Sequence, residues 1–424
     1  METNIPASKR ADPAVQAMDS AIKSCVHCGF CLPTCPTYLE TGSELDSPRG
    51  RIMLMKGALE DTLPIDSTLV SHIDRCLGCL ACVTACPSGV QYNELIDNFR
   101  PLLEEEYSRA PLDAFTRRLL IQVLPYPNRF RLATAMGKFG SPLAGMMPKS
   151  FQAMLSLLPT KPLPAPLSFP EVIPAEGKRR ARVALLIGCV QSVLAPEINA
   201  ATIRVLTRNG VEVIIPREQG CCGALANHSG QEQSALAMAR KTLAAFPTDV
   251  DAIISNAAGC GSMLKAYDRL LTDQADAAKV FVSRVKDVCE FLSELGFAEA
   301  APFPERKTPI RVAYHDACHL GHAQGVRLQP RALLASLPGV EVIELPEADI
   351  CCGSAGIYNI TQPEMARQLL DRKINNILST GATTIVSGNI GCLTQIRSGL
   401  EKRGQFTVDH TITFIDAAYQ LNDL

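Results

Sequence analysis

Two runs of the form Cys-x-x-Cys-x-x-Cys-x-x-x-Cys-Pro constrain this chain more than any other feature: Cys25, Cys28, Cys31 and Cys35 before Pro36, and Cys76, Cys79, Cys82 and Cys86 before Pro87. In bacterial ferredoxins with this spacing, three close thiolates hold one [4Fe–4S] cubane and the fourth reaches across to the other. Cys25, Cys28, Cys31 and Cys86 are therefore expected to ligate one cluster, and Cys35, Cys76, Cys79 and Cys82 a second. Structural zinc is the competing reading of a Cys-x-x-Cys pair, but zinc sites close with two pairs, whereas each run here has four cysteines and a proline. Gly29 and Gly78 are expected to let the loops turn tightly, and His27 to be exposed or to tune the first cluster. Two adjacent cubanes without a substrate pocket make a conduit between an electron donor and an acceptor.

The 40 residues between Cys35 and Cys76 read as helical, with Ile52, Leu54, Met55 and Leu59 at helical spacing and a second helix beginning at Ser67. Arg49 and Arg51, after the helix-start signal Ser47-Pro48, are expected on a capped surface helix, where they favour a reduced cluster or meet the acidic rim of a partner.

A chain of 424 residues, 47% of them hydrophobic, has apolar surface for more than one core. A net charge of −2 argues against a nucleic-acid partner, which demands a basic excess. The N-terminus does not read as a signal peptide, so the seventeen cysteines are expected in a reducing compartment, where clustered thiols mean metal or redox chemistry. No apolar run reaches the ~18–20 residues that span a bilayer, so any membrane attachment is expected to be peripheral. From Asp113 to Glu171 no acidic residue intervenes, while Arg117, Arg118, Arg129, Arg131, Lys138, Lys149 and Lys161 are basic. That segment reads either as a surface for anionic lipid or as a partner-docking arm; Pro125, Pro127, Pro142 and Pro148 break any long amphipathic helix and favour docking.

The remainder is duplicated. RVALLIGC ends at Cys189, VEVIIPREQGCCG carries Cys221 and Cys222, and DAIISNAAGC ends at Cys260; RVAYHDAC, VEVIELPEADICCG and ATTIVSGNIGC repeat the pattern at Cys318, Cys351, Cys352 and Cys392, offset by 129 to 132 residues. Short β-branched runs alternate with helical segments, so each copy is expected to be an α/β unit with its cysteines at strand ends, where ligands gather in open sheets. The expected fold class is α+β multidomain: a helical two-cluster ferredoxin-like domain (residues 1–110), a basic, Pro-rich connecting segment (111–180), and two α/β Cys-Cys-Gly modules (181–300 and 301–424). The four thiols of each copy offer a possible further metal or cluster site, against the alternative of small buried hydrophobes lining a vestigial pocket. Cys289 has no counterpart and is expected to be a buried structural thiol. His315, His319 and His322 flank Cys318 and offer a ligand or a proton relay, against ordinary surface or helix-start chemistry. No dinucleotide fingerprint is present.

Together these motifs resemble the Cys-Cys-Gly-domain family of iron–sulfur subunits. SCVHCGFCLPTCPTY (24–38), ELDSPRGRI (44–52), DRCLGCLACVTACPSGV (74–90), CCGSAG (351–356) and NIGC (389–392) are most similar to its glycolate oxidase (glycolate dehydrogenase) branch. The resemblance implies an electron-transfer subunit whose flavoprotein partners carry FAD and oxidise glycolate to glyoxylate, with a membrane quinone as acceptor and a peripheral position on the cytoplasmic face of the inner membrane. Equivalent subunits of lactate and glycerol-3-phosphate dehydrogenases, and the thiol–disulfide chemistry of heterodisulfide reductase, are the alternatives. In members resembling heterodisulfide reductase a terminal Cys-x-x-Cys holds a non-cubane cluster; here Met263 and Gln395 stand at those last positions, and the resemblance stops there.

Overall fold

Helix starts in the N-terminal third are set by short polar side chains and prolines. Asp12 caps Pro13–Lys23, Ser47 caps Pro48–Leu59 by accepting from Gly50 N–H at 3.0 Å, and Asp66 caps Ser67–Asp74. With Tyr92–Glu106 these helices enclose a core built on Met18, Ile22, Met55, Ile73, Leu95 and Phe99. Pro101 lies inside the last helix rather than ending it, because Leu95, Ile96, Phe99 and Leu103 are buried on both sides of it. The computed structural model describes residues 1–140, 145–159, 161–297, 299 and 301–420.

The basic segment forms helices Pro111–Val123, Pro127–Gly140 and Lys149–Ser156, broken near Pro125, Pro127 and Pro148; Pro142 lies outside the described residues. Part of its charge is spent internally. Arg117 pairs with Asp74 and Asp113, and Arg131 donates to the Pro164 carbonyl. Among the described residues no helix is long and apolar enough to cross a membrane.

Two parallel sheets follow. The first contains β1 (Val172–Ile173), β2 (Ala181–Leu186), β3 (Val211–Ile214), β4 (Ala252–Ser255) and β5 (Val285–Asp287) in the order β1-β3-β2-β4-β5. The second contains β6 (Ile310–Tyr314), β7 (Val340–Glu344), β8 (Thr384–Ser387) and β9 (Thr407–His410) in the order β7-β6-β8-β9. Leaving β1 aside, both have one topology, with the crossover reversing between the first and third strands of the copy. β1 comes from the Pro-rich connecting segment and pairs antiparallel on β3 at the sheet edge. The two copies share one core, in which Val183 and Leu206 belong with Val312, Leu334 and Ile415.

Asp287, at the end of β5, caps Val288–Leu295, accepting from Cys289 N–H at 2.8 Å while Glu290 reaches back to its own N–H. Cys289 itself is buried beside it. Burial pushes the Asp287 carboxyl up from 3.8 to about 7. A carboxyl raised in the folded state leaves stability intact below its unfolded value and costs stability as pH climbs toward the folded one. Asp287→Asn keeps a good cap, so it should match the parent near pH 4 and be more stable by about 2–4 kcal/mol at pH 8. Thermal unfolding at the two pH values checks this.

Candidate functional site

In each ferredoxin loop two residues adopt left-handed backbone, at the same two places: His27 (φ 57) and Gly29 (φ 84) in the first, Gly78 (φ 63) and Leu80 (φ 62) in the second. This curls the chain so that its thiols converge. Cys25, Cys28, Cys31 and Cys86 line one cavity; Cys35, Cys76 and Cys79 line a second, and Cys82 reaches both. Cys35, at the N-terminal boundary of the helix Pro36–Thr41, thus lies with the thiols of the second run rather than with its own.

Both cavities suit an iron cubane. Gly78 N–H donates to Cys76 Sγ and Val90 N–H to Cys86 Sγ, each at 3.4 Å, and Tyr92 OH donates to Cys76 Sγ at 3.8 Å. Such donors stabilise thiolate and favour the reduced cluster. Burial pushes the Cys31 thiol up to about 11 and the Cys79 and Cys82 thiols well above the ordinary 9, and a bound iron cluster would supply the positive charge that holds them as thiolates. Arg51 corrects the surface-helix expectation, being 1% exposed. Its guanidinium donates to the His72 carbonyl, Thr37 Oγ1 and, at 3.9 Å, Cys35 Sγ, with buried Asp46 3.6 Å away. A buried cation against the second thiol set matches the net negative charge of a tetrathiolate cubane. Arg49 stays nearer the surface, pairing with Glu44 and donating to the His27 carbonyl at 3.1 Å, while His27 is half-buried rather than exposed.

The two sites differ in access. Cys28 is exposed, flanked by Val26 and Phe30 at 67% and 64% exposure. Cys35, Cys76 and Cys79 are buried, and Leu77, Cys79 and Ala81 pack on Cys351, Tyr358 and Leu369 of the second module.

All eight module thiols, Cys189, Cys221, Cys222, Cys260, Cys318, Cys351, Cys352 and Cys392, line a single cavity of about 180 Å³ between the two copies. The sequence suggested one site per copy; facing sheet ends bring both to one space, with Leu77 of the second ferredoxin loop in its wall. Cys189 Sγ lies 3.4 Å from Cys221 Sγ, and Cys318 Sγ 4.0 Å from Cys351 Sγ. Hydrogen bonds from Cys189 and Cys222 pull the Cys221 thiol down; in the second copy it is Cys352 that is pulled down, by Cys351 and Cys392.

His315 and His322 are buried and His319 is half-buried, so none is an ordinary surface group. His319 Nε2–H donates to the Gly78 carbonyl at 3.0 Å, and His322 meets Thr84 Oγ1 at 2.8 Å, so both join the second ferredoxin loop to the second module. They share no extended helix face, since the helix Cys318–Gly321 is four residues long. Burial holds both imidazoles below their ordinary pKa.

A 4Fe-4S dicluster domain matches residues 21–90, and a cysteine-rich domain matches residues 183–265 and 312–397. A probable glycolate oxidase iron–sulfur subunit of Bacillus subtilis is 38% identical over 406 residues, covering 91% of this chain and 90% of that protein. The glycolate oxidase iron–sulfur subunit of Escherichia coli is 37% identical over 427 residues, covering 99% and 100%. The chain belongs to the glycolate oxidase iron–sulfur subunit family. A lactate utilization protein A of Exiguobacterium sp. is 30% identical over 252 residues, covering 57% of this chain and 97% of that protein.

Against this family background, the residues that sequence reasoning missed are those acting by position. His228 of the first module meets His319 edge to face at 5.1 Å between ring centroids, both lining the thiol cavity. Its sole signal was its place five residues after Gly223 of the first Cys-Cys-Gly.

Proposed function

We propose that this chain is the iron–sulfur electron-transfer subunit of a flavin-dependent glycolate dehydrogenase, relaying electrons from glycolate oxidation to glyoxylate on FAD-bearing flavoprotein partners toward a quinone-type acceptor. The observation that carries the reading is the difference in thiol exposure between the two ferredoxin sites, Cys28 lying exposed beside Val26 and Phe30 in the first and Cys35, Cys76 and Cys79 buried in the second, which packs on the second module. Cys25, Cys28, Cys31 and Cys86 hold the first cluster and Cys35, Cys76, Cys79 and Cys82 the second. When bound, each cubane takes up and passes on one electron at a time. Val26 and Phe30 exclude water where the flavoprotein docks. Arg51 offsets the charge that accumulates at the second site, and Leu77 and His319 join that site to the modules. The exposed Leu132 and Met136 on the basic segment give the subunit a second contact, with a partner at the cytoplasmic face of the inner membrane.

Anaerobic titration of the co-purified complex with glycolate tests this. Paramagnetic signals of two reduced clusters are expected to grow in the complex and to be absent when this chain alone meets glycolate. Clusters that stay oxidised in the complete complex would sink the relay. Lactate and glycerol 3-phosphate serve as the competing substrates, and faster reduction by either reassigns the dehydrogenase while leaving the relay in place.

A further inference from the structure

His315 is a buried group that the relay does not use. It follows β6, three residues before Cys318; three residues before Cys189, the first copy has Leu186. The imidazole is fully buried, and among the described residues no nitrogen or oxygen partner reaches either ring nitrogen; the one polar group in weak hydrogen-bonding reach is the Cys352 thiol. A dry imidazole left with a thiol as its one polar neighbour is under-satisfied, which marks a missing partner. What it faces is sulfur: one ring nitrogen and the Sγ atoms of Cys352 and Cys392 all lie within 4.8 Å of one another. Ligand atoms around a tetrahedral ion at Zn–S ~2.3 Å and Zn–N ~2.0–2.1 Å stand about 3.5–3.8 Å apart, so closing these three on one ion takes shifts of about 1 Å.

The charge nearby agrees. Lys373 is the one buried lysine among the described residues; its Nζ donates to the carbonyls of Glu347 and Ala348, forms no ion pair, and lies within electrostatic reach of Cys352 and Cys351 as well as of the Glu347 and Asp349 carboxylates. A buried ammonium whose direct partners are carbonyls favours thiolate over thiol beside it. Asn389 Nδ2 donates to Cys392 Sγ at 3.4 Å, orienting that sulfur from behind.

We propose that the second module, and not the first, holds a transition-metal ion through His315 together with Cys352 and Cys392. An imidazole with two thiolates suits borderline ions, zinc or iron(II). The first module has Leu186 in place of that imidazole, and its own cavity-lining histidine, His228, stands edge to face against His319; among the described residues only His315 forms a close set with two thiols. The two halves of the cavity thus differ in ligand charge, and the inference stands whether or not glycolate is the substrate.

The full-length protein, purified without oxygen, is expected to contain zinc or iron beyond the iron of the ferredoxin sites. His315→Leu, which copies the first module, should lower that additional metal at least tenfold and leave the paramagnetic signals of the two ferredoxin clusters unchanged. His315→Cys should restore it. If the metal is zinc, X-ray absorption of the unaltered protein should show nitrogen at ~2.0–2.1 Å beside sulfur at ~2.3 Å. If it is iron, the loss in His315→Leu should fall on iron alone, and to the same extent. No metal beyond the ferredoxin iron, a zinc shell of sulfur only, or retention of the metal in His315→Leu overturns the proposal. Metal content and the zinc shell are read on the unaltered protein, so they stand even where a variant fails to fold.

Discussion

Replacing Cys35 with serine should halve the ferredoxin iron, from about eight to about four atoms per chain, and spare the cluster of Cys25, Cys28 and Cys31. The reason is spatial. Cys35 closes the first run in sequence, yet it lies with Cys76 and Cys79, its Sγ accepting from Arg51 and lying 3.3 Å from Thr37 Oγ1. Iron analysis together with electron paramagnetic resonance of the reduced protein is decisive. The coupled signal of two adjacent reduced clusters should collapse to that of one isolated cluster. Loss of the solvent-facing cluster instead would overturn the crossed ligation. Because the sealed site adjoins the thiol cavity, the same variant should still accept electrons from the flavoprotein but not deliver them onward.

Arg51→Met is expected to produce the second large effect. The side chain is buried among Asp46, Thr37, the His72 carbonyl and Cys35. Its removal leaves Asp46, 1% exposed, with only His72 and the half-exposed Arg75 as partners. Breaking a buried ion pair from one side costs about 3–5 kcal/mol, and the remaining partners of Asp46 place the loss near the low end, about 3 kcal/mol. Chemical unfolding of the cluster-loaded protein measures it. Deleting a positive charge also disfavours the more negative, reduced state, so the second cluster's midpoint potential should fall while the first's changes little. An unchanged second potential would show that Arg51 serves packing alone.

How far the sequence alone was legible can be argued from particular residues. Ligand spacing is local chemistry, so both cysteine runs and the helical spacer were readable directly. Gly29 and Gly78 were legible as turn residues, but the matching left-handed positions fall on His27 and Leu80, which carry no glycine signal. The loops hold them there because tertiary contacts outweigh the ~1–2 kcal/mol penalty of a left-handed L-residue. Arg51 looked like a surface residue for a related reason: burial of a cation depends on Asp46 and Cys35, which are neighbours only after folding.

The repeat in the second half tells the same story at larger scale. Alternating β-branched and helical runs, with cysteines at their ends, were enough to anticipate two parallel α/β units with their thiols at the carboxyl edges. What no local pattern contains is that the two edges face each other. The shared core of Val183, Leu206, Val312 and Ile415 sets that orientation, and it turns two supposed sites into one cavity with eight thiols and places His315 against Cys352 and Cys392. By itself the sequence determined which cysteines carry the ferredoxin spacing and how the chain divides into a ferredoxin-like part and thiol-bearing modules, because ligand spacing and hydrophobic period are short-range properties. Only the tertiary structure decided which thiols meet, which cations are buried beside them and which thiols stay exposed, because those depend on burial of surfaces far apart in the sequence.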